Sequence, residues 1–320
     1  MTTSLPPALA GLAGRHNGVF TTAQALRSGV GRDEIGALVR HRQWTRIRRG
    51  AYALTQSWGE AGAQEQHVMH VQAVALALRA PTVVSHHSAA VLHGLRLHEV
   101  PLDLVHVTHP LDRGSGRLER DVLHHEADLS ELDVCVVRGI SLTTAARTVI
   151  DAARVLPAPS AVAMVDGVLA SGASPAELLA TYQRQLDWPG SRAAGRAVRQ
   201  GDGRSDSVGE TLGRLQFANV GMAPDALQHE IVTDAGVVRA DYAWLAARLV
   251  GEFDGKIKYG RLLRPGESTQ DVLVRERERE LAIERAGWLV VRFTWSDVHN
   301  RDLVRRRLRE AMARAERFAS

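Results

Sequence analysis

At 320 residues the chain is long enough for two or three domains, and its 45% hydrophobic and 24% charged residues are the balance of a soluble globular protein. A formal net charge of +4 and a pI of about 9.7 tilt it towards polyanions such as nucleic acid. No apolar run reaches membrane-spanning length, the opening MTTSLPPALAGLAGRHNG lacks a basic leader, and Cys135 is the only cysteine; these features argue against a membrane protein, a secreted precursor and a disulfide scaffold, and lead us to expect a cytoplasmic protein.

Residues 1–59 open with three short helical patterns, over Pro7–Arg15, Thr22–Ser28 and Arg32–Arg42. Thr21 or Thr22 suits an N-cap, and Gly29 and Gly31 punctuate the turn between the second and third helices, a helix-turn-helix signal. Ile35, Leu38 and Val39 form a buried stripe on the third helix, leaving Arg32, Gly36 and Arg40 opposite. The run from Trp44 to Leu54 then reads as a tight hairpin, the wing. Eight arginines against Asp33 and Glu34 give 8 − 2 = +6 for this segment, more than the +4 of the whole chain. Charge concentrated on a helix and wing predicts double-stranded DNA as partner, with Arg32, Arg40, Arg42, Arg46, Arg48 and Arg49 as the contacting residues. Over most of residues 14–54 the string GVFTTAQALRSGVGRDEIGALVRHRQWTRIRRGAYAL resembles the N-terminal winged helix of AbiEi-type antitoxins of type IV toxin–antitoxin systems. The resemblance implies promoter autoregulation and a cognate toxin as a further partner.

Residues 60–190 predict an α/β middle domain. Helices are expected over Gln64–Arg79, Ser85–His93, Thr143–Val155, Ser160–Ser171 and Ser174–Leu186, and strands over Leu102–Thr108, Asp121–Glu126 and Asp133–Val137. SHHSAAVLHGL and RGISLTTAARTVIDAA are similar to the middle part of AbiEi-like proteins of actinobacteria. His86, His87, His93, His98, His106, His109, His124 and His125 show no metal-ligand spacing, and we expect them to be solvated or hydrogen-bonded. The Gly- and Arg-rich stretch 191–204 reads as a linker.

Residues 205–320 centre on RADYAWLAARLVGEFDGKIKY, Arg239–Tyr259, which reads as two strands turning about Ala246–Ala247. Alternation along the second strand gives Glu252, Asp254 and Lys256 a common direction, and the turn sets Asp241 opposite Glu252. Carboxylates gathered in this way suit Mg²⁺ or Mn²⁺, which lowers the pKa of a bound water and neutralises charge on a phosphoryl group. Among 40 Lys and Arg residues the only lysines are Lys256 and Lys258, both beside these acids. Asp241, Glu252, Asp254 and Lys256 resemble the PD-(D/E)XK nuclease motif, and GEFDGKIKYG with RERERELAIERAGWLVVRF resembles the very-short-patch-repair-type endonuclease-like domain. The resemblance implies a restriction-endonuclease-like αβββαβ core and metal-dependent phosphodiester hydrolysis. The motif fits two registers, so Lys256 and Lys258 both stand as candidates. Ser207 and Glu210 fit a capping box at the start of the preceding helix, and by position Glu210 also matches the first-helix Glu that assists the metal in that family.

The expected architecture is therefore mixed α/β (α+β) and multi-domain: a winged helix, an α/β middle domain and a nuclease-like domain. Two functions follow as expectations: a DNA-binding protein with a Mg²⁺-dependent endonuclease-like end, or an antitoxin-type transcriptional regulator whose nuclease-like end is inactive.

Overall fold

In a computed structural model of the chain, the described residues are 5–78, 82–109, 117–255 and 268–319. Among the described residues the chain is mixed α/β with three separate sheets. It packs as two compact units, one of Met1–Met164 with Ala173–Val198, the other of Val165–Gly172 with Arg199–Ser320. Among the described residues no helix is long and apolar enough to cross a membrane.

The first unit begins with helices Pro7–Arg15, Thr22–Arg27 and Arg32–Arg40 and strands Phe20–Thr21, Trp44–Arg48 and Ala51–Leu54, the last lying between the other two. Thr21 caps the second helix: its hydroxyl accepts from the Gln24 N–H (3.2 Å), and the Gln24 side chain accepts from the Thr21 N–H (2.7 Å). Gly29 (φ +90°) and Gly50 (φ +82°) each make a turn that needs a left-handed backbone. Leu9, Phe20, Ala25, Ile35, Trp44 and Tyr52 share one small core, with Trp44 edge-on to Phe20 at 4.6 Å between centroids.

The expected boundary at residues 59/60 is not a break in packing. Val19, Ala51 and Ala53 share a buried cluster with Met69 and Ala73 of the helix Ala63–Ala75. That helix also packs on a six-stranded sheet, ordered Arg117–Glu119, Val122–Glu126, Val105–His109, Val83–Val84, Ile140–Thr143, Val134–Val137, through Val71 and Val74 against Val84, Val105 and Val107. The short strands Val83–Val84 and Ile140–Thr143 were not legible as strands, since two to four residues carry too little alternation.

The stretch read as a linker is instead the helix Ser191–Gln200 over most of its length. Its small residues Ala194, Gly195 and Ala197 are buried while Arg192, Arg196 and Arg199 are exposed. Gly195 is required there, because a Cβ would sit 2.3 Å from the Tyr182 hydroxyl. A Gly/Arg composition had looked like a loop, whereas the small residues recur at helical spacing.

In the second unit the elements follow as helix Val208–Asn219, strands Ala226–Thr233, Gly236–Trp244 and Leu249–Phe253, helix Thr269–Arg285, strand Leu289–Phe293 and helices Trp295–Val298 and Arg301–Ala319. The four strands lie in chain order; the first three are antiparallel, and the last runs parallel to the third with Glu252 opposite Arg292. Phe217, Tyr242, Trp244, Leu249, Phe253, Phe293 and Leu308 form one core. Ile231, Ala240, Ala243, Val250, Ile283 and Trp288 form another. Strand alternation puts Ala243 and Tyr242 on opposite faces, so the sheet is buried on both sides. Gly209 lets the first helix approach: a Cβ there would meet the Phe253 ring at 1.9 Å.

Candidate functional site

In the first unit the helix Arg32–Arg40 and the hairpin Trp44–Leu54 flank a groove of about 360 Å³ lined by Thr22, Arg32, Ile35, Gly36, Arg46, Arg49, Gly50 and Tyr52. Ile35 turns the helix inward, which leaves Arg32 and Arg40 exposed, and Arg42, Arg46 and Arg49 are exposed as well. Arg42 (φ +53°) sits at the left-handed turn that leads from the helix into the first hairpin strand. The Arg46 guanidinium lies 5.9 Å from the Tyr52 ring centre. Among the described residues none of Arg32, Arg40, Arg42, Arg46 and Arg49 forms an ion pair. Their charge faces solvent, as a phosphate-binding surface requires.

Arg48, expected to belong with them, does not. Its Nη2 lies 3.4 Å from Asp121 Oδ1, and Asp121 Oδ2 is 2.6 Å from His70 Nε2. Burial raises the Asp121 carboxyl, but the His70 hydrogen bond and the Arg48 charge outweigh it and hold the carboxyl below its ordinary value. The cause of the misplacement is a break in alternation: an unbroken strand would give Arg46 and Arg48 a common face, and a bulge in the ladder between them turns them apart.

In the second unit a cavity of about 360 Å³ is lined by Asp241, Glu252, Phe253, Asp254, Leu273, Glu276, Arg277, Arg279, Glu280 and Arg292. Tyr242 pairs with Gly251 and Trp244 with Leu249, so the same register carried one step further sets Asp241 opposite Glu252, as the hairpin reading required. Asp241 accepts a hydrogen bond from the Phe253 N–H at 2.7 Å. Glu252 accepts from Arg279 Nη1 and lies 3.6 Å from Arg292 Nε, while Arg292 also pairs with Glu280 at 3.1 Å. Burial lowers the Arg292 guanidinium, yet the charges of Glu280 and Glu252 outweigh it and leave it raised.

The carboxylate oxygens of Asp241, Glu252 and Asp254 are not gathered within 4.8 Å of one another, and two guanidiniums already neutralise Glu252. Lys256 and Lys258 lie outside the described residues. Glu210 is a capping residue and does not line this cavity: its carboxylate accepts from the Ser207 hydroxyl (2.7 Å), the Asp206 N–H (2.6 Å) and Gln228 Nε2 (2.9 Å). It reaches one residue further back than the expected bond to the Ser207 N–H.

The histidines expected to be solvated or hydrogen-bonded divide. His93 Nε2 lies 2.8 Å from the Thr143 carbonyl oxygen, as a hydrogen-bonded histidine should. His86, His106 and His125 are hydrogen-bonded too, but there His86, His87 and His106 are buried together, with His125 half-buried against them. No local spacing announces this, because the cluster is assembled by the pairing of strands distant in sequence.

With this geometry in view, residues 8–55 match a family model described as transcriptional regulator, AbiEi antitoxin. That span holds the three helices, the hairpin and the arginine-lined groove. Two curated relatives, each described only as an uncharacterized protein, from two strains of Mycobacterium tuberculosis, are 29% identical over 164 residues. The match covers 51% of this chain and 58% of each relative, so the chain spans less than two thirds of the curated relatives it matches.

Proposed function

We propose that the protein is a DNA-binding transcriptional regulator of the AbiEi antitoxin type, acting on double-stranded DNA upstream of its own gene and partnered by a cognate toxin. The observation that carries this reading is the groove in which Arg32, Arg46 and Arg49 converge, inside the segment that matches the regulator family. The helix, strand, helix, helix, strand, strand order of residues 7–54 supports a winged helix-turn-helix reading. In such a module the third helix enters the major groove while the hairpin follows the backbone. Arg32 then stands at the base edges, and Arg42, Arg46 and Arg49 meet phosphates.

For the second unit the element order helix, three strands, helix, strand supports a nuclease-like core, and the ion-paired Glu252 supports its inactive form. Glu252 and Glu280 serve Arg279 and Arg292 rather than a metal, and the unit supplies a scaffold or a contact surface for the partner.

The test is fluorescence anisotropy with labelled upstream DNA across a salt series, together with plasmid cleavage in Mg²⁺ and Mn²⁺. Tight binding with a steep salt slope and no cleavage is the expected result. Cleavage that disappears in Asp241→Ala would return the second unit to the active endonuclease reading, and binding indifferent to salt would remove the regulator reading.

A further inference from the structure

Three separate segments of the first unit bring histidines to one point. Strand Val105–His109 runs parallel to Val122–Glu126, with His106 opposite Leu123 and Thr108 opposite His125. Alternation therefore places His106, Thr108 and His125 on one face. Strand Val83–Val84 pairs with the other edge of Val105–His109, and its chain leads through Ser85 into the helix His86–Leu92. That topology delivers His86 to the same face. Ring nitrogens of His86, His106 and His125 all lie within 4.8 Å of one another. His125 Nε2 is 2.9 Å from His106 Nδ1, and the His86 and His125 rings stack at 3.8 Å between centroids.

Hydrogen bonding leaves one nitrogen of this cluster unaccounted for. His86 is 2% exposed, and its Nδ1 lies 2.9 Å from Ser85 Oγ, which accepts in turn from the Thr108 hydroxyl at 2.7 Å. That leaves His86 Nε2, which is buried and has no hydrogen-bond partner. A buried polar nitrogen without a partner is uncommon and calls for an unseen water or ion. The backbone is constrained as well: His86 has φ +51°, a left-handed conformation that a non-glycine residue keeps only where its surroundings hold it. Burial lowers His86 well below its ordinary value, His106 to about 2 and His125 to about 4, reinforced by the neighbouring rings for His86 and His106 and by the Arg154 charge for His125. All three are neutral imidazoles at neutral pH, the form that binds metal.

We propose that His86, His106 and His125 are the protein ligands of a single borderline divalent transition-metal ion, with zinc the ion that best suits three imidazoles and an open fourth position. Ser85 and Thr108 orient His86 through its far nitrogen, in the way that outer hydrogen bonds fix a ligating ring. In tetrahedral zinc, bonds of about 2.0–2.1 Å put ligand nitrogens roughly 3.3 Å apart, so the His106 and His125 nitrogens separate by a few tenths of an ångström. The proton they share moves to the remote nitrogen of its own ring; both rings stay neutral and none is released. Arg154 adds positive charge that lowers both His86 and His125. A hydroxide or other anion in the fourth position answers that charge. His87 stands against His106 at 3.8 Å between ring centroids but is not within the same reach of all three ligands.

The experiment uses the full chain without a histidine tag, stripped with EDTA and titrated with Co²⁺ as the optical probe, then with Zn²⁺. We expect one equivalent of Co²⁺ with the intense visible bands of a tetrahedral site, displaced by one equivalent of Zn²⁺. His106→Gln and His125→Gln should abolish the bands. His109→Gln, in the neighbouring pair where His109 Nε2 lies 2.8 Å from His124 Nδ1, should leave them intact. Because burial makes the ligand variants prone to misfolding, circular dichroism accompanies each. Ser85→Ala keeps all three ligands and should weaken Zn²⁺ binding by about ten-fold through loss of the orienting hydroxyl. No tetrahedral Co²⁺ spectrum in the wild type, or the same spectrum and affinity in folded His125→Gln and Ser85→Ala, overturns the assignment.

Discussion

The groove of the first unit and the cavity of the second are lined by the same cation and use it in opposite ways. Around the groove Arg32, Arg46 and Arg49 face solvent with no ion pair among the described residues. Around the cavity Arg279 and Arg292 are tied to Glu252, Glu276 and Glu280. An arginine offered to solvent retains its charge for an incoming phosphate, whereas one held by carboxylates has already spent its hydrogen bonds locally. Local composition does not separate the two cases; the position of the nearest acid does. The basic segment holds only Asp33 and Glu34, and Glu34 turns back to the Gly31 N–H at 3.3 Å to cap its helix.

The widest test of this contrast is the triple variant Arg32→Ala, Arg46→Ala, Arg49→Ala. At about 1.5 kcal/mol for each charge-assisted contact it should weaken binding to the upstream DNA by roughly 1,000-fold and lower the salt slope, measured by anisotropy. An affinity within three-fold or so of wild type would break the contrast at its first member. A second effect belongs to the interior of the first unit. His67, 2% exposed and set between the Leu102 carbonyl and Ser88, is lowered to about 4 by burial, which outweighs the raising effect of that carbonyl. Its folded pKa lies below the unfolded value of about 6.5, so the unfolded chain binds the proton first as pH falls. The stabilisation is fully present above about 6.5 and is lost as pH drops towards 4, on the order of 3 kcal/mol from this residue. Urea unfolding in EDTA between pH 7 and 4.5 should show a decline to which His67, His86, His87, His106 and His125 all contribute, and His67→Gln should make it shallower by its own share.

Glu252→Ala sharpens the second member of the contrast. It removes the shared partner of Arg279 and Arg292, and should destabilise the second unit by about 1–2 kcal/mol while leaving DNA affinity within two-fold or so. A large loss of DNA binding would place the cavity in the interface. The smallest effect is expected from Arg48→Ala: about 0.5–1 kcal/mol of stability, read by thermal melting, and a far smaller change in DNA affinity than any of the three groove arginines gives.

The helices, the hairpin and its exposed arginines were legible because each is written within a dozen residues: a Thr21 cap, the Ile35–Leu38–Val39 stripe, glycines at the turns. The hairpin register that pairs Tyr242 with Gly251, next to Asp241 and Glu252, was legible for the same reason, since a short hairpin turn fixes register. The state of Glu252 was not, because Arg279 and Arg292 reach it from a helix and a strand some 27 and 40 residues away along the chain. Arg48 was misplaced for an equivalent reason, its partner Asp121 being remote in sequence. The histidine cluster depends on a parallel pairing of two strands whose register nothing local encodes.

The cluster of Val19, Ala51 and Ala53 with Met69 and Ala73 bears on how this protein can be dissected. A fragment ending near residue 60 would carry every groove arginine yet leave three apolar side chains facing water and Arg48 without Asp121. Such a fragment would be short of cohesion and inclined to associate with itself through the uncovered patch. Limited digestion of the intact chain should accordingly spare the segment around residue 60, and the smallest piece able to hold its shape and grip DNA would extend through the six-stranded sheet.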